Sequence, residues 1–472
     1  EAEINQPHIP IREIEIEENN IAIQGEVVAF DKRNLRSGKV LVTFDVWDHT
    51  DSITCKLFLD PEDDVPEIHV GEWLKVKGNV QFQSFEQELA LMVNQFSRAE
   101  PPAPLMDNAS KKRVELHLHT KMSGLDGVLD VEDAVRQAAA WGHAAVAITD
   151  HGVVQAFPSA YFAGKKHGIK IIYGLEGYLI DQENDRPYHI VILAKNQAGL
   201  KNLYKLVSFS HIDYFYRRPR IPRKVLEEHR EGLIIGAACE QGEVYQACLN
   251  RDPRLREIAS FYDYLEIQPL GNNEFLIGTS RVSTTEDLKE INRLICRIGA
   301  ELNIPVVATC DVHFLRPEDA VYRTILLRGQ GFEDAERQAP LYFRTTEEML
   351  DEFSYLSEEL AYEVVVENSN RISEQIEDIT PIPQGLHPPH IPDAEEKLEQ
   401  LCYDTARKLY GDPLPQLVEE RLKKELKAII GNGYAALYWT ARQLVQKSES
   451  DGYMVGSRGS VGSSFAACMS GI

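Results

Sequence analysis

At 472 residues the chain is too long for one hydrophobic core, and about two to four domains are expected. Its formal net charge of −24 argues against a surface that binds phosphate everywhere, though a local basic groove still can. No run approaches ~20 apolar residues, Glu1-Ala-Glu-Ile-Asn lacks the regions of a signal peptide, and the seven scattered cysteines suit a reducing cytoplasm.

Residues 1–105 read as an all-β unit. Strands are expected over 21–30, 40–47, 52–58, 72–82 and 89–96, with a short segment between the third and fourth. Five strands with Gly25 and Gly78 suit an oligonucleotide-binding (OB) barrel. The unit holds nine Lys and Arg against twenty Asp and Glu. Its one dense basic cluster is Lys32, Arg33, Arg36 and Lys39, expected in the loop between strands one and two, which OB folds use for ligands. Trp47, Phe58, Phe82 and Phe85 offer either stacking platforms for bases or core packing. Pro101-Pro-Ala-Pro104 reads as a linker.

Residues 106–330 show seven successive strand patterns, each carrying a polar residue of metal-ligating type. In Arg113-Val-Glu-Leu-His-Leu-His119 the period of two puts Glu115, His117 and His119 on one face. Asp126 lies in the following loop. The strand over 144–151 ends in Asp150 and His151, and that over 171–176 ends in Glu176. The strand over 188–194 begins with His189, and that over 233–239 ends in Cys239. Glu266 sits in a strand over 264–268, and Asp311 and His313 repeat the i, i+2 spacing at the end of 305–313. A lone histidine or cysteine is ordinarily a satisfied core residue, but that does not explain gathering at strand ends, where an α/β barrel builds its site. Mixed N, O and S donors favour zinc or manganese over magnesium or calcium. Helices are expected over 131–141 and 285–298, each opened by acidic residues. The basic run Tyr216-Arg-Arg-Pro-Arg-Ile-Pro-Arg223 is either a solvated turn or a phosphate contact.

Residues 331–391 read as a connector, helical over 346–353 and 360–372 and then Pro-rich, with His387 and His390 in a rigid extended stretch. Residues 392–472 end in Gly452-Tyr-Met-Val-Gly-Ser-Arg-Gly-Ser-Val-Gly-Ser-Ser464, read as a strand, a Gly/Ser turn and a helix start. Gly456, Ser457, Arg458, Gly459, Ser460 and Ser463 could bring backbone N–H groups, hydroxyls and a guanidinium to a phosphate.

His117-Leu-His119, Ser123-Gly-Leu-Asp-Gly127, Thr149-Asp-His-Gly152, Gly174-Leu-Glu-Gly177, His189 and Asp311-Val-His313 resemble the motif series of the polymerase-and-histidinol-phosphatase (PHP) family. That resemblance implies a seven-stranded β/α barrel holding up to three metals. His117, His119, Glu176 and Asp311 would hold one cation. Glu176, His189 and Cys239 would hold a second, and Asp126, His151 and His313 a third. The Gly-Ser-Arg-Gly-Ser run resembles the palm entry of the bacterial C-family replicative polymerases. The whole order most resembles their PolC-type branch from Gram-positive bacteria.

The fold expected is therefore multidomain, α/β and β: an OB barrel, then a PHP barrel, then the start of a polymerase palm. The resemblance implies DNA-directed DNA polymerase activity, with magnesium at the palm and a phosphoesterase or 3′–5′ exonuclease activity open to the barrel. Implied partners are template–primer DNA, deoxynucleoside triphosphates and replisome proteins such as a sliding clamp. No residue is assigned to polymerisation itself, because paired palm carboxylates are not found after Ser460 and are expected beyond Ile472. The branch also carries a proofreading exonuclease between the Glu176 and His189 strands, where this chain has only Asp181-Gln-Glu-Asn-Asp-Arg186. Competing readings are a free-standing PHP-type metal phosphoesterase, and a non-catalytic, metal-stabilised DNA-binding scaffold. The OB unit and the Gly456–Ser460 run argue against the first of these, since a small-molecule phosphatase needs neither.

Overall fold

The computed structural model describes residues 4–472 except Arg36, Phe85, Pro104, Asn184, Gln384, Leu386, Pro388, Ser457 and Arg458, and except the side chain of Ser460. The chain divides into two units, Glu1–Pro381 and Ile382–Ile472.

The first unit opens with β1 (Glu18–Asn34), β2 (Val40–Trp47), β3 (Ser52–Leu59), β4 (Trp73–Gln83) and β5 (Glu88–Arg98). These close into a barrel in the order β1-β2-β3-β5-β4. β1 is long enough to serve two neighbours: its first half pairs with β4 and its second half with β2, with a bulge between Val27 and Ala29. A Cβ on Gly25 would lie 2.5 Å from the Trp47 carbonyl oxygen, and one on Gly78 would lie 2.0 Å from that of Met92. Only glycine lets the strands approach this closely. Alternate residues, among them Ile21, Ile23, Val42, Phe44, Val46, Leu74, Val76 and Leu91, fill the interior.

The α/β part of this unit contains β6 (Ala145–Ile148), β7 (Lys170–Ile180), β8 (Tyr188–Ala194), β9 (Phe215–Tyr216), β10 (Arg218–Pro222), β11 (Leu233–Gly236), β12 (Leu265–Ile267) and β13 (Val306–Ala308). β6 and β7 are parallel, β8 runs antiparallel between β7 and β11, and β12 pairs with β13. Single bridges link Glu115 to Val146, Gly236 to Tyr264, and Leu118 to Val312. The segment over 113–119 is therefore not the regular strand expected from its alternation. Its backbone N–H groups at Arg113, Val114 and Leu118 donate to the hydroxyls of Thr346, Ser369 and Thr149 instead of to a ladder. β7 and β8 form a hairpin, with Leu179 opposite Tyr188.

Helices follow their sequence signals. Asp130 caps Val131–Trp141, and Thr284 and Asp287 form a capping box on Thr285–Leu302. The expected helix over 360–372 is helical throughout but passes through a π turn at Glu363–Glu367. Phe343, Met349, Phe353, Val364, Val365, Val366 and Ile372 are buried in the same core as the strands.

The second unit packs Ala394–Tyr410, Gln416–Gly431, Ala435–Ser450 and the short Phe465–Ser470 around Leu398, Cys402, Ala406, Leu422, Leu426 and Met469. The strand expected just before the Gly/Ser turn is absent: Tyr453–Gly456 is exposed and irregular, with no strand in this unit's described residues to pair with. No helix among the described residues is long and apolar enough to cross a membrane.

Candidate metal centre

Strand direction delivers the ligands to one end of the α/β core. β6 and β11 finish there, placing His151 and Cys239 just beyond their last residues. β8 runs the other way, so its second residue, His189, arrives at the same end. Gly152 lies at φ +64, and a Cβ on it would sit 2.5 Å from Pro219, so the turn after His151 requires glycine. Asp311 and His313 do not repeat the strand geometry expected of them. β13 ends at Ala308, and Asp311 takes a left-handed backbone (φ 54). His313 Nδ1 then lies 2.8 Å from the Asp311 carbonyl oxygen. Asp tolerates this conformation better than most residues, and such strain tends to gather at functional sites.

All nine expected ligands meet around Glu176. His117 Nε2 lies 3.4 Å from Glu176 Oε1 and 3.3 Å from Asp311 Oδ1, while His119 Nε2 lies 3.6 Å from Glu176 Oε2 and 3.3 Å from Asp311 Oδ1. His189 Nδ1 is 2.8 Å from Glu176 Oε1, with Cys239 Sγ 3.5 Å from the same oxygen and 3.4 Å from that nitrogen. His151 Nδ1 is 2.7 Å from Glu176 Oε2, and Asp126 Oδ2 is 3.2 Å from His151 Nε2 and 3.7 Å from His313 Nε2. Three groups bring ligand atoms within 4.8 Å of one another: His117, His119 and Glu176; His151, Glu176 and His189; and His119, His151 and His313. Glu176 belongs to two of these.

Five atoms here are buried without a hydrogen-bond partner: His117 Nε2, His119 Nε2, His151 Nδ1, Glu176 Oε2 and Asp311 Oδ1. Their nearest partners are one another, at 2.7–3.6 Å but without qualifying hydrogen-bond geometry, the arrangement expected where a cation completes the set. Carboxylate oxygens and imidazole nitrogens at this spacing fit cations.

Charge is balanced within the cluster. Burial opposes ionisation of Glu176, but His189, His151 and His117 outweigh it and hold the carboxyl well below its usual range. Burial would also discharge His117, yet Glu266, Asp311 and Glu176 raise it well above an ordinary imidazole. His119 is held low by burial, then by His151 and His313. Burial pushes the Cys239 thiol well up, with Glu240 and Glu176 adding to it, so it is a poor thiolate until a cation displaces its proton.

The sequence placed Glu266 on a strand and Ser123 in a motif but gave neither a role, and it did not single out Arg323; all three orient ligands. Glu266 Oε1 lies 2.8 Å from His117 Nδ1 and accepts from Thr309 and Gln268. With the proton on Nδ1, the Nε2 lone pair faces the cluster. Ser123 does the same for His119: its hydroxyl donates to Asp150 at 2.7 Å and lies 2.9 Å from His119 Nδ1. Arg323 donates to Asp126 at 2.9 Å.

The other expected sites fall differently. Lys32 and Arg33 are not in a loop: they lie in β1, opposite Val42 and Leu41, because that strand runs on to Asn34. Lys39 follows in the connection and pairs with the exposed Asp60 at 2.9 Å. Arg36 and Phe85 lie outside the described residues. Phe58 and Phe82 are exposed, while Trp47 is half-buried. Of the nucleotide-binding candidates, Gly456, Gly459 and Ser463 are exposed, while Ser457, Arg458 and the side chain of Ser460 lie outside the described residues. The helix start expected to favour a phosphate is already satisfied, since Glu425 accepts from Ala466 N at 2.8 Å and Ser464 caps Ala467.

Comparisons with known proteins follow the same division. Residues 115–269 match the PHP domain, 21–98 the OB-fold nucleic acid binding domain, and 396–472 the bacterial DNA polymerase III alpha NTPase domain. The chain is 36% identical to the DNA polymerase III PolC-type of Clostridium perfringens over 98% of its own length and 46% of that protein's. It is 37% identical to that of Caldanaerobacter subterraneus over 100% and 48%, and 32% identical to that of Bacillus subtilis over 97% and 46%. The chain thus spans about half the length of the curated relatives it matches. The alignment to the first covers 673 positions against 472 residues here, so that relative carries inserted sequence which this chain lacks.

Proposed function

Because this chain is, along nearly its whole length, a homologue of the PolC-type DNA polymerases III, we propose that it works in template-directed deoxynucleotide transfer. The observation that carries this reading is an alignment at 32–37% identity over 97–100% of the chain, which takes in all three matched regions rather than the metal-site region alone. A free-standing phosphoesterase has no use for the other two.

Within this reading residues 392–472 open the polymerase palm. The Gly456–Ser463 turn, with Arg458 foremost, contacts the triphosphate of the incoming nucleotide, and magnesium serves the transfer. Small residues allow close approach of backbone N–H groups to phosphate, and a guanidinium adds a two-pronged contact. The OB unit contacts single-stranded template through Lys32, Arg33, Arg36 and Lys39. Replacing Arg458 with alanine in the complete polymerase should raise the KM for nucleotide severalfold with DNA affinity nearly intact. An unchanged KM would remove Arg458 from this role.

The α/β core is a distorted seven-stranded PHP barrel, a reading supported by neighbour-to-neighbour pairing that returns from Val312 to Leu118. Its centre holds zinc or manganese. His117, His119, Glu176 and Asp311 take one cation, Glu176, His189 and Cys239 a second, and Asp126, His151 and His313 a third. Bound cations there would lower the pKa of water and offset charge on phosphate oxygens. Glu176 spans the groups with both its oxygens, and Glu266 and Ser123 hold the protons of His117 and His119 on the far nitrogens. Arg323 neutralises Asp126 from outside.

A further inference from the structure

Among the described residues, Asp126 is the one ligand carboxylate that the chain pairs with an arginine or lysine of its own. Arg323, on the helix Ala320–Gly329, turns Nε and Nη2 onto Asp126 Oδ1. The other oxygen, Oδ2, faces His151 Nε2 at 3.2 Å and His313 Nε2 at 3.7 Å. The grip is itself fixed. Arg323 Nη1 donates to Gln338 Oε1 at 3.1 Å, and Gln338 Nε2 donates to Ala320 O and Thr324 Oγ1 at 2.6 Å each. The Arg323 side chain is 11% exposed, so water screens its charge little.

The loop that carries Asp126 keeps its place without this contact. Asp126 N and Gly127 N both donate to Ser123 O, Val128 N donates to His313 O, and Gln330 Nε2 donates to Leu125 O at 2.6 Å. Arg323 therefore contributes charge more than placement. That charge falls on the poorest of the three ligand sets. Glu176 serves the first two and Asp311 strengthens the first, whereas Asp126 is the only anion in the set it forms with His151 and His313. With Arg323 in place, this set offers a divalent cation two imidazoles and a carboxylate already neutralised from its far side.

We infer that Arg323 competes with the third cation for Asp126. It keeps that site weaker than the other two, so the centre rests with two cations and takes the third together with an anion. A phosphate group brings the negative charge that Asp126 has given to Arg323. The inference rests on the reading of the centre as a site for three cations, and it ranks them.

The test titrates manganese into the metal-free full chain, following the free ion by electron paramagnetic resonance and the bound ion by elemental analysis. The third equivalent is identified as the one lost in Asp126→Asn while two are retained. Arg323→Met should tighten it at least about tenfold and leave the first two within about twofold, because a buried unit charge acts at this range even at an effective dielectric of ~20. Arg323→Lys keeps the charge and should stay near the unaltered chain. Adding Arg323→Met to Asp126→Asn should change nothing further, since the effect passes through that one carboxylate. Inorganic phosphate should tighten the third equivalent in the unaltered chain, and less so in Arg323→Met. A role in aiming Asp126 alone predicts the opposite sign. A third equivalent weakened or unmoved in Arg323→Met, or tightened no more than the first two, overturns the inference. Phosphate without effect on the third equivalent strikes the joint binding. Fewer than one equivalent in every variant instead removes the metal reading of the centre itself.

Discussion

Replacing Glu266 with glutamine should weaken metal binding without touching a ligand. Glu266 Oε1 serves His117 Nδ1 at 2.8 Å, Thr309 Oγ1 at 2.7 Å and Gln268 Nε2 at 2.8 Å, while Oε2 is buried without a partner. A glutamine oxygen can keep the first three contacts but not the negative charge behind His117, so the imidazole becomes a weaker donor to a cation. Loss of such a supporting partner costs roughly 10–100-fold in metal affinity. At metal about 100 times Kd, one site contributes about 2.7 kcal/mol to stability, and this should fall to about 1.4 or 0.4 kcal/mol in the variant. The new amide N–H group is buried without an acceptor, which lowers stability with or without metal. The difference between metal-loaded and metal-free Tm is therefore the quantity to read, beside Kd by competition with a chromophoric chelator. If Kd is unchanged while His117→Ala loses metal, or if both Tm values fall equally, Glu266 is only a packing residue.

Stability of the metal-free protein should decline as pH rises above about 6.5. His117 and His151 are raised well above the ordinary imidazole value and stabilise fully below it, whereas His119 is depressed and pulls the other way with one proton against two. Metal binding instead releases protons, so the gap in Tm between loaded and free protein should widen with pH; a gap that narrows from pH 6 to 8 would contradict the cluster described. Neutralising Lys32, Arg33, Arg36 and Lys39 should weaken DNA binding and flatten its salt dependence. Identical slopes would make the OB unit a packing or protein-docking domain. Metal-dependent hydrolysis of phosphodiester or pyrophosphate should vanish in Glu176→Gln, and survival of activity would place it elsewhere.

What could be read from the sequence was local periodicity and local chemistry. Val131–Trp141 was legible because an Asp cap precedes an amphipathic run, and the OB strands because alternation and two close-approach glycines mark a small barrel. Most of the nine ligands were legible because they sit beside apolar strand patterns, although Glu176 proves to lie inside β7 rather than at its end and 113–119 is not a regular strand. Arg113–His119 was misread because alternation does not reveal that distant hydroxyls claim its N–H groups. Lys32 and Arg33 were placed in a loop because charge resembles loop composition, whereas β1 runs on through them. Glu266 and Ser123 were seen in the sequence but given no role, and Arg323 was not singled out, because their supporting contacts are not readable from local pattern. The partner of Glu266 is 149 residues away and that of Arg323 is 197, so only closure of the fold brings them together.

The central claim is that nine side chains around Glu176 form a multinuclear metal centre. Elemental analysis of the purified chain, dialysed against zinc or manganese and compared with His117→Ala, tests it most directly. Two to three equivalents per chain, with at least one lost in the variant, are expected. Less than one equivalent, unchanged by His117→Ala, would contradict it.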